Sequence, residues 1–251
     1  MKRLALVLIL LSAASCGGDG TEASEREIVV SAAASLTATF TDIGAAFERA
    51  NPGSRVIFTF GPSDGLATQI AEGAPVDVFA SASPTWMDAV EEGPGVTGRT
   101  DFATNSLAIL VPADNPAGIE TLKDLAHPGV RVVLAAEGVP AGDYAREILA
   151  NASLLEQVLR NVVSNEEDVA SVVTKVVSGD ADAGIAYVTD ASPALEASVA
   201  VVPIPAEVNV VATYPIAVVA TSGEAELAQR FVDFVLGSGR EILDSYGFNR
   251  A

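Results

Sequence analysis

The chain has 251 residues, 49% of them hydrophobic and 19% charged, a globular composition with room for one large domain or two small lobes. It carries 14 basic against 33 acidic residues, a formal charge of −19, which argues against nucleic acid as a partner and against charge-driven binding to anionic lipid, since both need a basic face. Its one cysteine, Cys16, rules out an intrachain disulfide.

The N-terminus reads as a targeting segment. MKR is followed by the apolar run LALVLILLSAA, much shorter than the roughly 20 residues a membrane-spanning helix needs, so residues 1–15 are read as an export signal. The run ends in AASC followed by two glycines. This resembles a bacterial lipoprotein signal, in which Cys16 becomes the lipidated first residue; ordinary secretion with an incidental cysteine is the other reading. Residues 16–26 then form a flexible polar tether. Loss of Lys2 and Arg3 with the leader takes the formal charge from −19 to −21.

From Glu27 onward strand-like and helix-like stretches alternate. EIVVSA is a strand and LTATFTDIGAAFERA a helix, broken by NPG. RVIFTF is a strand, LATQIAEG a helix, VDVFASA a strand and PTWMDAVEEG a short helix in which Trp86 and Met87 pack. The apolar strand SLAILVP follows, then the short helix and turn LKDLAHPG and the strand RVVLAA. GDYAREILANA and EEDVASVVTKVVSG are helices, AGIAYV, VAVVPI and YPIAVVA strands, and EAELAQRFVDFVLG and REILDSYG closing helices. Continuous β-branched runs between helices indicate buried, mostly parallel strands, hence α/β architecture. SLAILVP and YPIAVVA bracket a middle section and read as two hinge strands between lobes: residues 27–106 plus 217–251 form one lobe, 107–216 the other.

Four helix starts share one chemistry. Ser35 follows the first strand and precedes a helix with Leu36, Phe40, Ile43 and Phe47 on one face, so it is placed to cap that helix. Ser63 and Asp64 precede the next helix, and Ala141, Gly142 and Asp143 open another. Asn165, with Asp168 three residues on, approximates a capping box. Helix starts present unpaired N–H groups and partial positive charge, and at the carboxyl ends of strands they are where α/β sheets bind ligands, anions especially. Every helix also needs a cap, so spacing alone leaves both readings open.

Taken together, VVSAAASLTATFTDI, LATQIAEGAPVDVFASAS, WMDAV, VPAGDYAREIL, EEDVASVV, SGDADAGIAYVTDA, YPIAVV and the terminal YGF resemble the molybdate-binding lipoproteins and periplasmic proteins that serve ABC importers. The similarity runs from about Ile28 to Asn249. It implies a two-lobed periplasmic-binding-protein-like fold, each lobe a mostly parallel sheet flanked by helices, closing on a tetrahedral oxyanion. By motif, the implied ligand positions are Ser35 and Ser63 (hydroxyl and N–H), Ala141 and Val169 (backbone N–H) and Tyr187 (phenol). Molybdate carries no proton near neutral pH and wants donors only, which these groups supply. The resemblance further implies no cofactor and no cationic metal site, molybdate or tungstate as ligand, a permease and ATPase as partners, a monomer, and an extracytoplasmic place at the membrane through lipid on Cys16.

Asp64 departs from the family, which usually has a small polar residue there. Turned inward it would repel a dianion and favour a protonated one such as hydrogen phosphate; turned outward it favours the helix start by about 0.3–1 kcal/mol. Sulfate, a smaller ion, would leave the donors too far apart. A secreted hydrolase needs a base beside its serine, and the one histidine, His127, sits in a turn-like LAHPGV. No P-loop occurs. An adhesive surface lipoprotein, needing no cleft, is the third class. The acidic run Glu166, Glu167 and Asp168 is read as decorating a helix start.

Overall fold

The computed structural model describes residues 26–191, 195 and 197–251; the leader, Cys16 and nearly all of the tether lie outside them. β1 (Arg26–Ala33) leads through a single 3₁₀ turn at Ala34–Leu36 into α1 (Thr37–Ala50). β2 (Ser54–Gly61), α2 (Ser63–Ala71), β3 (Val78–Ala80) and α3 (Pro84–Glu92) follow. β4 (Val96–Pro112) is 17 residues long and leaves the first lobe for the second. There, beyond a 3₁₀ segment at Leu122–Ala126, come β5 (Val132–Ala135), α4 (Pro140–Asn151), α5 (Leu155–Leu159), β6 (Val162–Glu166), α6 (Val169–Val177), β7 (Ala183–Tyr187) and β8 (Val199–Pro203). β9 (Val211–Val219) returns to the first lobe, which α7 (Ala225–Leu236) and α8 (Arg240–Ser245) complete.

The strands are ordered β2-β1-β3-β9-β4-β7-β5-β6, with β8 beside β4. The strand–helix–strand units pair in parallel: β1 with β2 and β3, β5 with β6 and β7. Every pair that includes β4 or β9 is antiparallel. Most strands of each lobe therefore run the same way, and the antiparallel pairs come from the two strands that cross between lobes. β4 pairs with β9 from Val96 to Ser106 and with β7 and β8 from Leu107 to Pro112. β9 pairs with β4 from Val211 onward.

Periodicity accounts for the packing. Ile28, Val30 and Ala32 of β1 are fully buried, as are Phe40, Ile43 and Phe47 of α1, which recur at helical spacing on one face. Phe47 meets Phe231 of α7 edge-to-face at 5.3 Å. A second cluster, with Leu66, Ile70, Phe79, Met87 and Val90, lies under α2 and α3. Each large side chain buried this way contributes about 1.5–3 kcal/mol. In the second lobe α6 rests directly on β7: a Cβ on Gly184 would fall 2.6 Å from Val172 Cγ1. That close approach sets how deep the start of α6 sits.

Candidate oxyanion site

Between the lobes lies a cavity of about 20 Å³, room for a single compact solute rather than an extended one. Its wall is made of the places where strands hand over to helices. Ser35 stands in the 3₁₀ turn after β1, Ser63 is the first residue of α2, Ala141 the second of α4, Val169 the first of α6, and Tyr187 ends β7; all five line the cavity. Pro140 suits the first position of α4, where no N–H is needed. Asp168 caps α6, its Oδ1 accepting the Ser171 N–H at 2.7 Å. The first-turn N–H groups of these helices have no intrahelical acceptor and sit at the positive end of the dipole. Neither lysine nor arginine lines the cavity, so the donors it offers an anion are hydroxyls and backbone N–H groups.

The hydroxyls have partners behind them or none at all. Ser63 Oγ accepts the Ala82 N–H at 3.1 Å, which leaves the serine hydrogen free for the cavity. Ser35 Oγ lies 3.1 Å from the Tyr214 hydroxyl. Tyr187 is 1% exposed, yet its hydroxyl has no hydrogen-bond partner among the described residues. A buried polar group left that way costs about 1–3 kcal/mol. Burial also pushes the Tyr187 phenol well above its ordinary value, so it keeps its proton. A cavity ringed by unspent donors, one of them buried and orphaned, suits a proton-free anion.

Three contacts tie the lobes across or beside the cavity. The Trp86 Nε1–H of α3 donates to the Gly138 carbonyl at 2.9 Å, and Tyr144 of α4 donates to the Ala82 carbonyl at 3.4 Å. At the crossing, buried Asn105 donates through Nδ2 to Thr189 Oγ1 at 2.8 Å. Trp86, expected only to pack in its helix, thus also spans the cleft.

Several local expectations change. Ser35 is not a side-chain cap: Leu36 occupies the cap position of α1 without a side-chain bond, and the Ser35 hydroxyl turns to Tyr214. Asn165 does not cap α6. It lies in β6, where its Oδ1 accepts from Arg146 at 2.7 Å, and Asp168 caps instead. Glu166 is in β6 as well, paired with Lys175 at 2.9 Å. Asp64 sits in the first turn of α2 and does not line the cavity; its Oδ1 is enclosed without a partner among the described residues. His127 is 68% exposed and off the cavity wall. Among the described residues no group of three or more His, Cys, Asp or Glu side chains could hold a metal ion, and no helix is long and apolar enough to cross a membrane. Sequence reasoning missed Tyr214 and Ala82, each of which engages a site serine. Strand alternation places Tyr214 inward, but nothing in the sequence says that Ser35 faces it.

The sequence pattern of the bacterial extracellular solute-binding proteins matches residues 28–249. The chain belongs to that family. Membership makes it a solute-binding protein working outside the cytoplasm. It is 39% identical to the molybdate-binding protein ModA of Mycobacterium tuberculosis over 254 residues, covering 98% of this chain and 95% of that one. Among solved structures it superposes on the sulfate-binding protein SubI of M. tuberculosis with a TM-score of 0.81 at 20% identity, covering 90% of this chain and 87% of that one. It superposes on the periplasmic molybdate-binding protein of Azotobacter vinelandii with a TM-score of 0.77 at 22% identity, covering 89% and 99%. At those identities the two structures establish the shared fold.

Proposed function

We propose that this solute-binding protein captures molybdate, and tungstate with it, in the cavity between its lobes and delivers the ion to an ABC permease driven by its ATPase. The observation that carries this reading is the buried Tyr187 hydroxyl, without a partner among the described residues, beside serine hydroxyls and helix-start N–H groups in a wall free of lysine and arginine. The near full-length similarity to ModA points the same way. Ser35, Ser63 and Tyr187 donate hydroxyl hydrogens, and Ser35, Ser63, Ala141 and Val169 donate N–H. Hydrogen bonds to a charged partner contribute about 1.5–3 kcal/mol each. After ordering costs, five to seven of them leave roughly 10 kcal/mol, an affinity in the tens of nanomolar.

In this reading the lobes are 27–106 plus 217–251 and 107–216, a monomer is held at the membrane by lipid on Cys16, and the fold binds rather than catalyses. Hydrogen phosphate is the second reading. It needs an acceptor as well as donors, and Asp168 places a carboxylate-bearing residue in the wall. Calorimetric titration with molybdate, tungstate, sulfate and phosphate at one ionic strength tests the assignment. Molybdate and tungstate are expected to bind at least a hundredfold more tightly than the other two. Equal affinity for sulfate or phosphate, or no binding of molybdate, refutes it.

A further inference from the structure

Tyr214 is fully buried in β9, paired with Ala103 of the crossing strand β4. Its ring is fixed edge-to-face by Tyr187 at 5.8 Å, Phe102 at 6.2 Å and Phe248 at 5.5 Å. The hydroxyl that ends this clamped ring lies 3.1 Å from Ser35 Oγ. A serine hydroxyl has one hydrogen and two acceptor lone pairs, so the direction of this bond decides what Ser35 offers the cavity. If Ser35 donates to Tyr214, its only hydrogen is spent and its lone pairs face the anion. If Tyr214 donates, the serine hydrogen stays available. Both hydroxyls carry a hydrogen and either can donate across this contact; the clamped ring fixes where the Tyr214 oxygen sits, behind a serine that lines the cavity. Ser63 shows the same arrangement with no ambiguity, because its partner is a backbone N–H that can only donate.

Resting on the assignment of the cavity to a molybdate-type oxyanion, we propose that Tyr214 is a positioning residue that donates to Ser35 Oγ and thereby fixes the Ser35 hydroxyl as a donor to the bound ion. It touches no ligand itself. The consequence is a site whose two serines are both oriented by groups behind them, leaving little for a ligand proton to bind to.

The test is a double-mutant cycle read by molybdate titration: the wild type, Tyr214→Phe, Ser35→Ala and the double variant, with melting curves for each. Tyr214→Phe keeps the clamped ring and is expected to weaken binding about five- to twentyfold, the scale of one misdirected hydrogen bond to a charged ligand. In the Ser35→Ala background the same change is expected to cost less than about twofold, because the hydroxyl it orients is gone. An equal cost in both backgrounds means the tyrosine acts on packing alone and overturns the proposal, as does unchanged affinity in Tyr214→Phe. Should that variant not fold, neutron crystallography of the wild type with molybdate decides. Deuterium on Tyr214 Oη aimed at Ser35 Oγ upholds the proposal; deuterium on Ser35 aimed at Tyr214 overturns it. Failure of the wild type to bind molybdate would instead remove the assignment on which the proposal rests, a separate outcome of the same titration.

Discussion

Replacing Gly142 by alanine is expected to disable the site from outside it. A Cβ there would lie 2.1 Å from the Ala136 carbonyl oxygen and 2.4 Å from that of Ala135. Both are backbone atoms of the turn between β5 and α4, so no side-chain rotation relieves the clash. The same turn is stapled by Arg146, whose Nη1 donates to the Ala135 and Gly142 carbonyls at 2.8 Å each. The first turn of α4 must then lift by roughly 1 Å, which takes an N–H donor at a normal distance out of hydrogen-bond range. Losing the Ala141 contact to a charged ligand costs about 1.5–3 kcal/mol, or roughly tenfold to a hundred-and-fiftyfold in affinity. Gly65→Ala is the control. It lies in α2 beside the same cavity, but its Cβ would come no nearer than 3.4 Å to Pro62, and alanine is worth up to about 1 kcal/mol over glycine inside a helix. Calorimetry with molybdate, paired with thermal melts, is expected to show Gly142→Ala weak-binding and destabilised, and Gly65→Ala unchanged or stabilised. Binding by Gly142→Ala within twofold of wild type would refute the argument that α4 is wedged against its own turn.

Three other outcomes follow from the site. Tyr187→Phe is expected to lower molybdate affinity by about 1–3 kcal/mol while leaving the ligand-free protein as stable or more so, since the hydroxyl has no partner among the described residues to lose; a lower melting temperature in the ligand-free variant would contradict this. Trp86 is the only tryptophan and donates across the cleft, so its fluorescence should change as molybdate closes the lobes, and Trp86→Phe should weaken binding by about 0.5–1.5 kcal/mol; emission indifferent to saturating ligand would sink that. Burial raises the Asp190 carboxyl to about 7, against about 3.9 in an unfolded chain. Between those values the native state holds more protons than the unfolded one, so this group's contribution to stability is complete below about pH 4 and is lost as pH climbs to about 7. Asp190→Asn keeps an oxygen for the Tyr187 N–H that Asp190 Oδ2 accepts at 2.9 Å; urea unfolding at pH 4.5 and 7.5 should show a smaller decline in the variant than in the wild type, and equal declines would count against it.

What could be read from the sequence was whatever is local. The alternation of β-branched strands with amphipathic helices gave the architecture and the helix starts, and the family resemblance of the motifs named the five positions that line one cavity. The first half of β4 was not legible. Its Thr97, Gly98, Arg99, Thr100 and Asp101 are polar or small, and its pairing with β9 slips register between Thr97 and Thr100 and again between Asp101 and Ala103, which destroys the alternation a strand normally shows. β6 was hidden for another reason: it ends in Ser164, Asn165 and Glu166 on the edge of the sheet, where polar residues are expected and resemble the lead-in to a helix. The roles of Ser35 and Trp86 were beyond reach because they depend on partners 179 and 52 residues away. A hydroxyl that looks like a cap is a cap only if nothing better meets it in three dimensions.

The route of the chain between lobes also dictates an order of assembly. β3 bonds only to β1 and β9; Thr104 and Asn249 exchange two backbone hydrogen bonds at 2.9 Å; and Arg240 reaches back to the Phe102 carbonyl at 2.7 Å. The half that begins the chain is therefore unfinished until the final residues arrive, whereas the second half is continuous in sequence. Closing a segment of that length costs entropy that long-range pairs repay only late. The middle is expected to fold first and the two ends last, each waiting for the other.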